Sequence, residues 1–416
     1  MIGLVVNPVA GVGGPAGLAG SDGADVQRRA LARGARSRAQ ERAILALTTL
    51  ADRHPGLAVA TAPGAMGADA VRAAGLVPRV LPPPTSPSAR LAAQCTASSR
   101  GEAVHSAGSR ALGEDRGSAG TDAADTSAAI AALAAAGAGL ILVVGGDGTL
   151  RDACAGLESV EEAEREEPKP AILGVPAGVK MYSPVFAVSP RAAGSIAADW
   201  IDRGGLPTEE REVLDVDEAA MRHARVDPTL YGMLSVPYRS GRTQARKAPT
   251  PATEAAAVEA AARGAVARMR PGVRYLLGPG STTAEVARQL GVEGSPLGVD
   301  VVLDGTLVAR GASAQELLAE IAEGPAQAVI TVIGGQGFLL GRGNQQLSAS
   351  VLRALGDDPL LVVSPEQKLI DLHGRPLLVD TGDPELDARL TGHIRIITGV
   401  GTSSLYAVSA PDLTTV

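Results

Sequence analysis

Short aliphatic runs, separated by stretches of helical composition and punctuated by glycine and proline, set the pattern of the N-terminal half. Ile2 to Val6 predicts a buried first strand that ends at Asn7-Pro8 and opens into Gly11, Gly13, Gly14, Gly17 and Gly20. Residues 35–53 predict a helix, 57–60 a strand, 67–74 a short helix and 79–81 another strand before the prolines at 82–84. Residues 122–136 then predict a helix, 140–144 a strand, 149–157 a helix and 171–175 a strand. Such alternation predicts an α/β unit around a parallel sheet. Ser189 is placed to cap a helix that begins at Pro190 and stops before Gly204, bridging to a second unit. Beyond it, runs at 213–216, 275–277, 299–303, 329–333, 360–363, 377–379 and 394–398 predict strands, so the C-terminal half is expected to be richer in strands than in helices. The expected division is two domains, 1–188 and 189–416.

Two stretches break the pattern. Residues 83–120 are rich in Pro, Ser, Gly and Ala without an apolar period, which predicts an inserted flexible loop. Six glutamates between Glu158 and Glu167 predict a solvated segment.

Composition narrows the function classes. With 45% hydrophobic residues in 416, the chain can bury a substantial core. A net charge of −7 without a sustained Lys/Arg block argues against nucleic acid or an anionic membrane as the main partner. Two Phe, five Tyr and one Trp leave too few rings for base-stacking platforms, which favours small-molecule work. Cys95 and Cys154 lie far apart with no CxxC spacing, so a reducing cytoplasm is expected and a disulfide framework is not. The start MIGLVVNP lacks the charged region of a signal peptide, and no apolar stretch is long enough to span a bilayer. The five histidines show no metal-ligand spacing, so no tightly bound transition metal is expected. A homo-oligomer is expected.

The chemistry concentrates at Gly145-Gly146-Asp147-Gly148-Thr149. Between a strand and a helix, these amides and the helix N-terminus face one space, a combination that holds phosphate. Asp147 puts a carboxylate where an anion would otherwise be welcome. That is unfavourable unless the carboxylate binds a metal, orients a hydroxyl or takes its proton, the tasks of phosphoryl transfer to an alcohol. The plainer alternative is a helix cap at Asp147 or Thr149. Gly334 to Gln346 packs glycines, one arginine and four amide side chains into thirteen residues. The mixture lets backbone approach a ligand at Gly335 and Gln336 while Arg342 pairs with phosphate and Asn344 or Gln345 reads a polar edge, against the alternative of a tight interdomain turn. Lys180, after a strand and a glycine turn, suits a phosphate-binding point charge or an exposed lysine. The basic stretch 237–251, with Arg239, Arg242, Arg246 and Lys247, suits a clamp over a triphosphate or a solvated linker equally.

The GGDGT loop resembles that of the NAD kinase, diacylglycerol kinase and phosphofructokinase superfamily. Its companions VNPVAGVGG (6–14), GVPAGVKM (174–181), GPGSTT (278–283) and GGQGFLLGRGNQQ (334–346) resemble the ATP-NAD kinase/AcoX-like family over almost the whole chain. The resemblance implies a Rossmann-like α/β domain, a strand-rich C-terminal domain and an active site in the cleft between them. It implies phosphate binding by the GGDGT loop beside Asn7, with Asp147 acting on the 2′-hydroxyl of the adenosine ribose of NAD, ATP as donor and Mg²⁺ delivered with it. Asp217 and Glu218 match the place of an Asn-Glu pair that holds the nucleotide. Gly280, Ser281, Thr282 and Thr283 resemble a nucleotide-binding hydroxyl loop, although an ordinary helix start reads the same way. Pro15 and Ala19 stand where relatives commonly carry basic residues. The function so implied is an ATP-dependent NAD kinase. A non-catalytic nucleotide-binding or regulatory protein, or a kinase for another alcohol such as a lipid or sugar, is the alternative.

Overall fold

The computed structural model describes residues 1–17, 24–82, 121–160, 169–178, 181–215, 229–238, 255–295 and 297–411. The first half is built on strands β1 (Ile2–Val6), β2 (Ala58–Thr61), β3 (Val77–Val80), β4 (Leu140–Gly145) and β5 (Ala171–Pro176), in the order β3-β2-β1-β4-β5. Every neighbouring pair is parallel. All the residues of β1, β4 and β5 are buried, as strands covered on both faces must be.

Helix α1 (Ala24–Ala32) packs its Ala30 with Val12, Ala16 and Ala35, and the helices that cover the sheet are α2 (Ala39–Arg53), α3 (Ala68–Ala73), α4 (Ala123–Ala135), α5 (Asp147–Glu158) and α6 (Pro190–Asp202). Helix α2 buries Ala39, Arg42, Ala43, Ala46, Leu47 and Leu50, a stripe at spacings of three and four. Helix α4 starts in a capping box between Asp122 and Asp125, and α6 starts with the Ser189 hydroxyl accepting from the Ala192 amide and Pro190 in the first turn. Small residues let α2 and α6 come close: a Cβ on Gly194 would stand 2.1 Å from the Ala46 carbonyl oxygen.

A two-stranded antiparallel ribbon follows, β6 (Thr208–Asp215) with β7 (Thr229–Pro237). It lays Val213, Leu234 and Val236 into the core of the first sheet. The ribbon starts five residues before the predicted run at 213. Glu209–Glu212 carries no hydrophobic signal, and it pairs as an exposed edge instead.

After α7 (Ala255–Val266) the rest of the chain forms a nine-stranded sheet. Its strands are β8 (Arg274–Leu277), β9 (Asp300–Leu303), β10 (Thr306–Ala309), β11 (Ala326–Ile330), β12 (Phe338–Leu340), β13 (Leu360–Val363), β14 (Leu377–Val379), β15 (Gly392–Gly399) and β16 (Thr402–Ser409). The order is β10-β9-β8-β11-β13-β15-β16-β14-β12, and β8, β11, β13 and β15 run parallel. Interleaved are α8 (Ser281–Gln289), α9 (Ala314–Ala322), α10 (Ala349–Ala354), α11 (Glu366–Ile370) and α12 (Pro384–Leu390). The strand expected at 329–333 runs instead over Ala326–Ile330, because pairing with β8 begins at Ala326 and Thr331 already belongs to a loop. Among the described residues no helix is long and apolar enough to cross a membrane.

Each sheet directs the carboxyl ends of its parallel strands toward loops of the other. Gln336, beyond β11, donates to the Met181 carbonyl beyond β5 at 2.9 Å, and the Ala314 amide donates to the Pro15 carbonyl at 2.9 Å.

Candidate active site

Three loops leave the carboxyl ends of β1, β4 and β5 and stack with almost no side chain between them. A Cβ on Gly11, whose φ is +76°, would stand 2.2 Å from the Ala177 carbonyl oxygen, and one on Gly178 would stand 2.3 Å from the Gly146 Cα. The amides of Ala177 and Gly178 both donate to the Gly145 carbonyl. Asn7 ties in the first loop: its Nδ2 donates to the Thr149 Oγ1 at 3.2 Å while its Oδ1 accepts from the Val9 amide. Gly145 leaves room for that threonine, since a Cβ there would stand 2.2 Å from the Thr149 Oγ1.

Helix α5 begins at Asp147, two residues before the sequence expectation, with Gly146 as N-cap and no side chain capping it. The Asp147 carboxylate therefore does something other than cap. It is fully buried and accepts from the Tyr182 amide at 2.5 Å, the Ser183 amide at 3.1 Å and the Ser183 Oγ at 2.6 Å. The Ser183 hydroxyl in turn accepts from the Leu214 amide on β6 at 3.0 Å. No feature of the sequence flagged Ser183. Gly148 lies half-buried in the first turn of α5.

The loop between β11 and β12 and its continuation past Leu340 close over this junction. Besides Gln336 on Met181, Gln345 donates to the Gly178 carbonyl at 3.2 Å and keeps a buried Oε1 without a partner. Gly335, at φ +78°, gives the turn its shape and accepts from Arg375. Asn344 is committed to its own loop, donating to the Leu339 carbonyl at 2.7 Å and accepting from the Gly341 amide at 3.0 Å.

Arg342 departs from its expected role. Instead of reaching a ligand phosphate, it is 3% exposed, donates to Asp380 at 2.9 Å and to the Val188 carbonyl at 2.9 Å, and stacks on Phe338. Arg42 of α2 binds the same carboxylate at 2.7 and 2.9 Å, so the three side chains tie the two halves together. Burial alone would raise the Asp380 carboxyl, but the Arg42 and Arg342 guanidiniums outweigh it and hold it at about 2, down from 3.8. The loop thus acts at Arg342 as the interdomain turn its composition also allowed. Neither Arg42 nor Asp380 had a signal in the sequence.

Gly280, Ser281, Thr282 and Thr283 form the start of α8, with Gly280 at φ +132° as N-cap. They lie at the carboxyl end of β8, beside the strand that leads into Gly334–Gln346. Lys180, Asp217 and Glu218 lie outside the described residues, as do residues 83–120, Ala19 and the basic side chains of 239–247.

A glycine-built phosphate cradle with a carboxylate at its helix start, between two α/β layers that share one junction, defines a phosphotransferase. Residues 2–205 match the ATP-NAD kinase N-terminal domain and residues 270–408 the ATP-NAD kinase C-terminal domain, so the chain belongs to the ATP-NAD kinase family. It is a kinase with an alcohol group as acceptor, in a family that uses ATP and NAD as substrates. No curated protein and no solved structure matches the chain significantly.

Proposed function

We propose that the protein transfers the terminal phosphoryl group of MgATP to the 2′-hydroxyl of the adenosine ribose of NAD, giving NADP and ADP. The observation that carries this reading is the Asp147 carboxylate, held by two backbone amides at the start of α5 with a hydroxyl, Ser183 Oγ, resting on its Oδ1 at 2.6 Å. In the reaction the ribose hydroxyl takes the place of the Ser183 hydroxyl on Oδ1, which orients it toward the phosphoryl group and receives its proton late in a loose transition state. The amide end of α5 and the backbone of the stacked glycine loops hold the phosphates. Gln345, anchored on Gly178, offers its unpartnered Oε1 to a second ribose hydroxyl. Mg²⁺ enters as part of the ATP substrate.

The test is incubation of the purified full chain with NAD and MgATP, with products identified by mass. Equimolar NADP and ADP are expected. ADP formation only with a different alcohol would replace NAD as the acceptor, and the same NADP yield from Asp147→Asn would remove Asp147 from the chemistry.

A further inference from the structure

We infer that the side chains of Arg28, Arg29, Arg33 and Arg36 form an anion-collecting surface, which draws the phosphate chain of a ligand toward the Asp147 cradle and acts on its rate of arrival. That the ligand is ATP or NAD rests on the function proposed above; the attraction for a phosphate chain does not.

The positive charge is concentrated. Six arginines and one glutamate stand between Arg28 and Arg42, in a chain whose net charge is −7. Two of the six have structural work: Arg42 is buried on Asp380, and Arg38 donates to the carbonyls of Thr381 and Gly382 at 2.9 and 3.0 Å. The other four are exposed. The carboxylates that face this stretch are engaged. Glu41 pairs with Arg38 at 3.4 Å, and Glu316, which also feels Arg33, accepts from the Ser313 amide at 2.7 Å in the capping box of α9. A positive island on an acidic protein gathers polyanions that the rest of the surface repels.

The island sits against the glycine loop that leaves β1. Ala30 of α1 packs on Val12 and Ala16 of that loop, and the Arg33 Nη1 donates to the Ala16 carbonyl at 2.7 Å. The chain then returns to the start of the loop, where the Ser37 hydroxyl donates to the Ala10 carbonyl at 2.9 Å. Ala10 is followed by Gly11, the residue whose Cβ would stand 2.2 Å from the Ala177 carbonyl oxygen in the cradle. Arg36 is thus one residue from a side chain bonded to the loop beside the cradle, and Arg33 holds the loop at its other end. The second domain meets the same loop, since the Ala314 amide donates to the Pro15 carbonyl, and a Cβ on Gly34 would stand 3.3 Å from the Gln315 Oε1. The four arginines therefore stand at the seam between the domains, on the loop that borders the phosphate cradle. None of them is needed inside it for their charges to act over a Debye length of about 8–10 Å at ordinary salt.

Stopped-flow binding of a fluorescent ATP analogue to the full chain tests this, with tripolyphosphate as competitor and a fluorescent adenosine as neutral control. At about 10 mM salt, where the Debye length is about 30 Å, replacing all four arginines by glutamine should slow association about 10-fold while dissociation keeps its rate. At about 1 M salt, with a Debye length of about 3 Å, variant and wild type should associate alike. Replacing the four by lysine should retain fast association, because attraction at a distance needs the charge and not the guanidinium plane. Arg28→Gln, Arg29→Gln and Arg36→Gln combined spare the bond from Arg33 to Ala16, and should show most of the effect even where the fourfold variant folds poorly. Unchanged association at low salt in this threefold variant overturns the surface. So does faster dissociation with unchanged association, which would put the arginines on the bound ligand, or an equal slowing with adenosine. Duplex DNA bound through these arginines at about 0.15 M salt, more tightly than tripolyphosphate, would also overturn it and make the surface a nucleic-acid site. Charge-dependent association in a chain that forms no NADP leaves the surface standing and refutes the acceptor; NADP formation with association indifferent to the arginines does the reverse.

Discussion

Asp147→Asn should both slow the reaction and loosen the fold, and the two effects come from different atoms. The carboxylate has an acceptor oxygen for each set of donors: Oδ2 for the Tyr182 amide, Oδ1 for the Ser183 amide and hydroxyl. Asparagine has one acceptor oxygen and one donor nitrogen. Whichever way the amide turns, its NH₂ faces a buried backbone N–H that loses its partner, at a cost of roughly 1–3 kcal/mol. Exchanging charge-assisted bonds for neutral ones adds to this, for a total of about 2–4 kcal/mol. Thermal unfolding followed by calorimetry should show the first domain melting on the order of 5–10 °C lower. Turnover at saturating NAD and MgATP, measured below that transition, should fall about 10²- to 10⁴-fold through loss of the proton acceptor. A helix-capping aspartate would behave otherwise, since asparagine caps as well and would change neither quantity. Wild-type turnover in a variant with the lowered melting temperature would leave Asp147 as a purely structural brace and refute the catalytic assignment.

Ser183→Ala should retain part of the turnover while losing roughly 1–3 kcal/mol of stability, because it orphans the Leu214 amide but leaves both backbone donors on Asp147; urea unfolding and steady-state kinetics on the same preparation separate the two. Asp380→Asn should cost about 3–5 kcal/mol by leaving two buried guanidiniums short of their counter-charge. Because the folded Asp380 carboxyl titrates near 2 and not at 3.8, its contribution is complete above about pH 4 and is lost as the pH falls toward 2. Unfolding free energy measured against pH should therefore slope less steeply between those values in the variant than in the wild type. Gly178→Ala should abolish nucleotide binding in calorimetry, since its Cβ would meet the Gly146 backbone at 2.3 Å, whereas Gly137→Ala, strained by its φ of +76° but with nothing within 4 Å, should bind normally.

The cradle was legible in the sequence because its cause is local. Aliphatic runs end at Val6, Val144 and Val175 just before loops that carry glycine, and parallel strands buried on both faces put those ends on one edge. What surrounds the cradle was not legible, because its partners are distant in the chain. Arg342 in a glycine-rich loop reads as a ligand contact until Asp380, 38 residues from Arg342 and 338 from Arg42, is found between the two guanidiniums. Thr331 looked like strand interior because hydrophobicity continues through Val332 and Ile333, although the strand ends at Ile330. Strand β16 escaped for the opposite reason: it lies inside the sheet between β15 and β14, but its residues are mostly open to solvent and begin with the polar run Thr402-Ser403-Ser404, which the apolar pattern does not register.

Ser183 explains how a carboxylate can wait in this position without a ligand. A bare, fully buried Asp147 beside phosphate-binding amides would be strongly disfavoured. The serine hydroxyl at 2.6 Å supplies the bond that, in the reaction proposed above, a substrate alcohol supplies, and the Leu214 amide at 3.0 Å holds that hydroxyl in place. Replacing it by a ribose hydroxyl exchanges one O–H donor for another, a nearly neutral step, while Ser183 keeps the Leu214 carbonyl at 3.1 Å as an alternative acceptor. Binding energy from the phosphates is then left to position the acceptor and is not consumed in desolvating Asp147, which burial has already done. In the proposed reaction the same geometry makes the 181–183 turn, held by Gln336 at the Met181 carbonyl, the element that yields when the acceptor enters.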